Sequence, residues 1–132
     1  MAYGRQIGGP MPQSSTILII EDDHTAAESI ETLCREMGHK TLVAYDGTTG
    51  LQMAASEKPR LILSDIAMPG IDGFEVARRI RSNHDLDGTA IVAVTGLAPK
   101  TPAANQKTFD DYVVKPFSVE NIMKVINKYC GE

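Results

Sequence analysis

The run Ile17-Leu18-Ile19-Ile20 is continuously apolar and stops at Glu21-Asp22-Asp23. A strand with one face in water alternates apolar and polar residues, so an unbroken run predicts a strand covered on both faces. Leu42-Val43-Ala44, Leu61-Ile62-Leu63, residues 90–94 and Tyr112-Val113-Val114 repeat the pattern. Helical spacing fills the intervals. Over 25–37, Ala27, Ile30, Leu33, Cys34 and Met37 share a face, and Gly38 supplies a stop. Over 46–56, Leu51, Ala54 and Ala55 do the same. Asp72 caps a third helix, with Glu75 placed as in a capping box and Phe74, Ala77 and Ile80 on the buried side. Ser118 caps the last helix, with Val119, Ile122, Met123, Ile126 and Tyr129 inward. Strands alternating with helices predict an α/β, three-layer, doubly wound sandwich around a five-stranded parallel sheet, its crossovers right-handed. In such sheets chemistry gathers beyond the carboxyl ends of the strands.

Composition narrows the function classes. The 132 residues suit one domain, 16–132, preceded by a flexible tail or linker, 1–15, rich in Gly and Pro. A hydrophobic content of 42% excludes wholesale disorder. No apolar run is long enough to cross a bilayer, so membrane insertion is not expected. Thirteen Lys and Arg against seventeen Asp and Glu leave a charge of −4, which argues against nucleic acid as a direct partner. Residues 1–15 lack the apolar core of a secretory signal, so the expected compartment is the cytoplasm. Cys34 and Cys130 form no CxxC pair and read as small buried hydrophobes. His24, His39 and His84 lack the spacing of a zinc site.

The strand ends carry the chemistry. The first run ends in Glu21-Asp22-Asp23, the third in Ser64-Asp65, the fourth in Thr95-Gly96 and the fifth in Lys115-Pro116-Phe117. In a parallel sheet these ends share one rim. Carboxylates crowded there repel each other and are tolerable together if a cation neutralises them. Oxygen donors favour a hard ion, and Mg²⁺ suits a site that retains water. Lys115 can pair with an acid or hold an incoming phosphoryl oxygen. Taken singly, the same residues have plainer readings: Glu21-Asp22 a solvated helix start, Thr95 a strand-end turn residue, Lys115 a surface charge, Tyr112 ordinary strand packing. Asp23 reads as a helix-start residue rather than a ligand.

Together, I-L-I-I-E-D-D, L-S-D-I-A-M-P-G-I-D-G-F-E, V-T-G and D-Y-V-V-K-P-F resemble the response-regulator receiver domains of two-component signalling, in order and roughly in spacing, over about 16–130. The resemblance implies a flavodoxin-like sheet of order 2-1-3-4-5. It implies a phosphoacceptor in a histidine–aspartate phosphorelay rather than an enzyme acting on other substrates. Asp65 would be the acceptor. Glu21 (through a water), Asp22, Asp65 and the backbone carbonyl of Ala67 would hold Mg²⁺, or Mn²⁺ in its place. Lys115 would bridge to the transferred group and Thr95 would close on it. Tyr112 would be the switch aromatic that turns inward as Thr95 moves, and Lys115-Pro116 would be cis. The implied partners are a histidine kinase or histidine phosphotransfer protein and a downstream protein target. The chain would be a single-domain regulator or a receiver from a hybrid sensor kinase.

Two rivals fail on particular positions. Asp46-Gly47-Thr48 echoes a phosphatase signature, but Ala44 stands where its nucleophilic Asp belongs. A flavodoxin-like cofactor binder needs a phosphate-binding loop after the first strand, where three acids stand. An inactive interaction module is disfavoured because every charged position is filled. The chain also departs from the family. Residues 95–115 are few and include Pro99 and Pro102, so a helix there is short, starting near 101–102, or irregular. Ala67 and Leu97 are apolar where receivers flank the attacking water, which predicts slow self-dephosphorylation.

Overall fold

The computed structural model describes residues 15–96 and 108–131. In chain order these form β1 (Thr16–Ile20), α1 (His24–Glu36), β2 (Lys40–Ala44), α2 (Gly47–Glu57), β3 (Leu61–Ser64), α3 (Gly73–Arg81), a 3₁₀ turn (His84–Leu86), β4 (Ala90–Thr95), β5 (Asp111–Val114) and α4 (Val119–Cys130). The five strands are parallel and ordered β2-β1-β3-β4-β5. The three-layer fold expected from the apolar runs is present.

The central strand β1 shows why its sequence is continuously apolar. Ile17 and Ile19 enter a core with Ala27, Ile30 and Cys34 of α1 and Ile122 and Ile126 of α4. Leu18 and Ile20 enter a second core with Ala54 of α2 and Val76, Ala77 and Ile80 of α3. Alternate side chains leave opposite faces of a strand, so a strand between two helix layers has no wet side. In each of these four helices a short polar side chain closes the first turn. Asp23 accepts from Thr25 N–H and Ala26 N–H, Asp46 from Thr49 N–H, Asp72 from Glu75 N–H and Ser118 from Asn121 N–H. Both cysteines are buried, and burial pushes the Cys34 thiol up to about 12, with Cys130 and Glu31 adding to the shift. No helix among the described residues is long and apolar enough to cross a membrane.

Several expected faces differ. Phe74 is 37% exposed, and Val76 takes the buried place in α3. Phe74 instead lies edge-on to Phe109, with ring centroids 5.7 Å apart. Ala55 is exposed, and Gly50 packs in its stead, close enough to Ile20 that a Cβ would lie 2.5 Å from its side chain. In α4, Val119 and Met123 are 58% and 37% exposed, while Ile122, Val125, Ile126 and Cys130 are buried. Two apolar stripes overlap on this helix, and packing beside α1, which brings Cys130 into one core with Cys34, selects the second. Glu75 completes half of its capping box. Its N–H reaches Asp72, but its carboxylate is taken by Arg78 (2.5 Å) and Arg79 (2.6 Å). Ser15, at the edge of the expected tail, donates to His39 Nδ1 and accepts from Lys40 N–H. The helix expected near 101–102, and Leu97, lie outside the described residues.

Candidate functional site

Glu21 and Asp65 sit one step past neighbouring strands. Glu21 N–H donates to Ala44 O (3.0 Å) and Asp65 N–H to Ile20 O (2.9 Å), so both backbones prolong the sheet ladder. That extension turns both side chains into the rim: Glu21 is 2% exposed and Asp65 7%. Asp22 points to solvent beside them. Each of the three offers a carboxylate oxygen, and these oxygens lie within 4.8 Å of one another.

Hydrogen bonds hold the acids in place. Glu21 Oε2 accepts from Asp23 N–H (3.1 Å) and Oε1 from Lys115 Nζ (2.7 Å). Asp65 Oδ1 accepts from Ile66 N–H (2.8 Å), and its Oδ2 lies 3.5 Å from Lys115 Nζ. Burial pushes the Glu21 carboxyl above its ordinary value, with the Asp65 charge adding to it. The bonds from Lys115 and Asp23 N–H offset this only in part. Burial works against charge on Lys115 too, but its hydrogen bond to Glu21 and the negative charges of Glu21 and Asp65 prevail and raise its pKa. Lys115 is therefore a fixed ammonium. One ammonium among three carboxylates leaves the rim short of positive charge, and the free donors are hard oxygens. A divalent cation such as Mg²⁺ fits this set.

The remaining expected residues surround these. Thr95 ends β4, buried, and its carbonyl accepts from Lys115 N–H (2.7 Å), while Lys115-Pro116 is cis. Ala67 lies on the exposed bend two residues beyond Asp65. Tyr112 pairs with Ala93, on the same face of the sheet as Thr95. Its ring packs 5.5 Å from that of Phe109, and its hydroxyl is buried with no hydrogen-bond partner among the described residues. Asp23 is the α1 cap, as its position suggested.

Two contributors were given no role at the site from the sequence, where Asp72-Gly73 reads as a turn dipeptide. Gly73 follows the Asp72 cap, and its N–H donates to Ile66 O (2.8 Å). A Cβ there would stand 2.3 Å from Asp65 O, so only glycine lets α3 press against the Asp65 backbone. A glycine in a first helical turn, where it is otherwise unfavourable, was the available signal. Phe109 is the other, and its role depends on contacts across the fold that spacing does not reveal.

A doubly wound parallel sheet with an acidic rim, one half-buried ammonium and a strand-end threonine defines a flavodoxin-like domain whose carboxylates and ammonium meet at the strand ends. The family model of the response regulator receiver domain matches residues 17–127. The chain is 31% identical over 113 residues to protein PilH of Pseudomonas aeruginosa, covering 84% of this chain and 93% of that one. It is 32% identical over 110 residues to the response regulator MprA of Mycobacterium ulcerans, covering 83% of this chain but only 47% of that protein. Among solved structures, the receiver domain of a Pseudomonas aeruginosa sensor histidine kinase superposes with a TM-score of 0.80 at 26% identity, covering 90% of this chain and 99% of the other. That structure has a magnesium ion coordinated in its active-site cleft. The chain belongs to the response regulator receiver domain family of two-component signalling.

Proposed function

We propose that Asp65 is the phosphoacceptor of this receiver. A carboxylate oxygen of Asp65 attacks the phosphorus of a phosphohistidine on a histidine kinase or phosphotransfer protein. The O–P bond forms as the P–N bond breaks, and the released imidazole takes up a proton from solvent. The transition state is loose, with charge on the equatorial oxygens. Ile66 N–H holds the Asp65 carboxylate in one plane. Lys115 lies 3.5 Å from that carboxylate and already carries its charge, so it meets the incoming oxygens without reorganising. Thr95 supplies a hydroxyl on the same rim. Glu21, Asp22, Asp65 and the backbone at Ala67 would hold Mg²⁺ or Mn²⁺, which when bound neutralises the carboxylates and the phosphoryl oxygens.

The aspartyl phosphate adds a charge of roughly −1.5 to −2 to the rim. Thr95 and Tyr112 are the switch residues that respond, and a downstream protein reads the altered surface in the cytoplasm. The chain catalyses only its own phosphorylation and dephosphorylation. PilH has nearly this length, while the kinase receiver is part of a sensor, and the reading suits either setting.

The observation that carries this reading is the convergence of three carboxylates at the strand ends, two of them paired with one ammonium. Its test is incubation with acetyl phosphate and Mg²⁺, read by intact mass. One added phosphate is expected, absent in Asp65→Asn and absent after chelation. An unlabelled wild type would leave an inactive binding module as the better account.

A further inference from the structure

Three aromatic rings run from the start of α3 to the edge strand: Phe74 lies 5.7 Å from Phe109, and Phe109 lies 5.5 Å from Tyr112. Their environments differ. Phe74 is 37% exposed, whereas Phe109 is 3% exposed and belongs to the core beneath α2 and α3. The backbone after Phe109 is pinned. Asp110 N–H donates to Ile91 O (2.8 Å), and Asp110 Oδ2 accepts from Ile91 N–H (2.8 Å) and from Arg81 (2.5 Å). Arg81 in turn donates to Thr89 O (2.9 Å). This clamp ties Phe109 to α3 and to the first residues of β4, so its ring has a fixed seat.

Tyr112 rests on that seat. It pairs with the small Ala93, which leaves room for its ring on the face it shares with Thr95. Its hydroxyl is buried there with no hydrogen bond to any described residue. A hydroxyl buried without a partner among the described residues opposes this position, and packing against an aromatic ring favours it. Lys115, three residues along the same strand end, bonds both to Glu21 and, through its N–H, to Thr95 O, so the strand bearing Tyr112 is tied to the acidic rim.

We propose that Phe109 is a positioning residue for Tyr112: its clamped ring wedges the Tyr112 side chain inward on the face of Thr95. The meaning of this placement for signalling rests on Tyr112 responding to an aspartyl phosphate. Its test needs neither donor nor metal, so failure of the wedge and failure of the phosphoacceptor reading are seen separately.

The test is fluorine NMR of 3-fluorotyrosine-labelled chain, with the Tyr112 line assigned by its loss in Tyr112→Phe. Accessibility is read as line broadening by a soluble gadolinium chelate. The Tyr112 line should be protected in wild type. Phe109→Leu retains apolar bulk but no ring, and should raise accessibility about fivefold, the population change that loss of one aromatic contact brings. Phe74→Ala should leave the line protected, because the Asp110 clamp rather than Phe74 holds the wedge. Thermal melts establish that each variant is folded, and Phe109→Leu carries the test if Phe109→Ala does not fold. A folded Phe109→Leu variant with Tyr112 as protected as in wild type would overturn the proposal, as would release of Tyr112 by Phe74→Ala alone.

Discussion

Lys115 divides its charge between two carboxylates, 2.7 Å from Glu21 and 3.5 Å from Asp65. Its removal therefore has opposed consequences. In Lys115→Ala, Glu21 stays buried with only the Asp23 N–H for support, and stability measured by urea unfolding in chelator should fall by about 1–3 kcal/mol. The three carboxylates then repel without relief, so Mg²⁺ should bind more tightly. Labelling by acetyl phosphate should nevertheless slow by about tenfold or more, because a charge aimed at the phosphoryl oxygens is lost. Tighter metal binding with slower labelling is the signature, and unchanged labelling would contradict the role given to this residue. Ala67, exposed beyond Asp65, offers no hydrogen bond to an attacking water. Ala67→Asn should shorten the lifetime of the aspartyl phosphate severalfold after donor removal. A wild-type phosphate lost faster than the variant's would refute the slow-decay expectation.

Among the elements, α3 shows how a helix can serve a strand end it merely abuts. Alanine favours a helix over glycine by about 0.5–1 kcal/mol, yet overpacking a close contact costs about 1–3 kcal/mol. With 2.3 Å between a new Cβ and Asp65 O, the second effect should win in Gly73→Ala. Its melting temperature should drop, and labelling should fall even where circular dichroism shows full folding. A variant as stable and as readily labelled as wild type would show that the close approach is incidental. What the sequence reveals about such elements depends on range. Strands and caps are local, so the apolar runs and Asp23, Asp72 and Ser118 are legible in the order of residues alone, while Asp46, expected as the first residue of its helix, is its cap. Convergence of Glu21, Asp22, Asp65, Thr95 and Lys115 follows once parallel strands put their ends on one rim. Faces are less legible. Val119 and Met123 look as buried as Val125 until α1 takes its place beside α4, and Phe74 looks like core until Val76 fills the inward position. The seat of Phe109 depends on Phe74 and Arg81, far from it in sequence, and Glu75 had Arg78 and Arg79 within reach as rivals to its capping role.

For the molecule as a whole, the acids gather at one pole of the sheet, while His39, just before β2, lies at the other. It is buried, its Nδ1 accepts from Ser15 N–H (3.1 Å), and burial lowers its pKa. The unfolded histidine titrates near about 6.5 and the folded one lower, so between these values the unfolded chain binds more protons. The contribution of His39 is thus complete above the unfolded value and is lost as the pH falls through that value toward the folded one. Urea unfolding should show stability dropping from pH 7.5 to pH 5.5, with a shallower drop in His39→Gln. Equal slopes in the two proteins would place the sensitivity elsewhere.

The central claim concerns one oxygen at the opposite pole. Borohydride reduces an acyl phosphate to an alcohol, turning a phosphorylated aspartate into homoserine. Chain treated with acetyl phosphate and Mg²⁺, then with borohydride and protease, should yield homoserine at position 65 and at no other acid. Homoserine at position 22 or 23, the longer 2-amino-5-hydroxypentanoic acid at Glu21, or no reduced residue in chain that has demonstrably gained phosphate, would contradict the account.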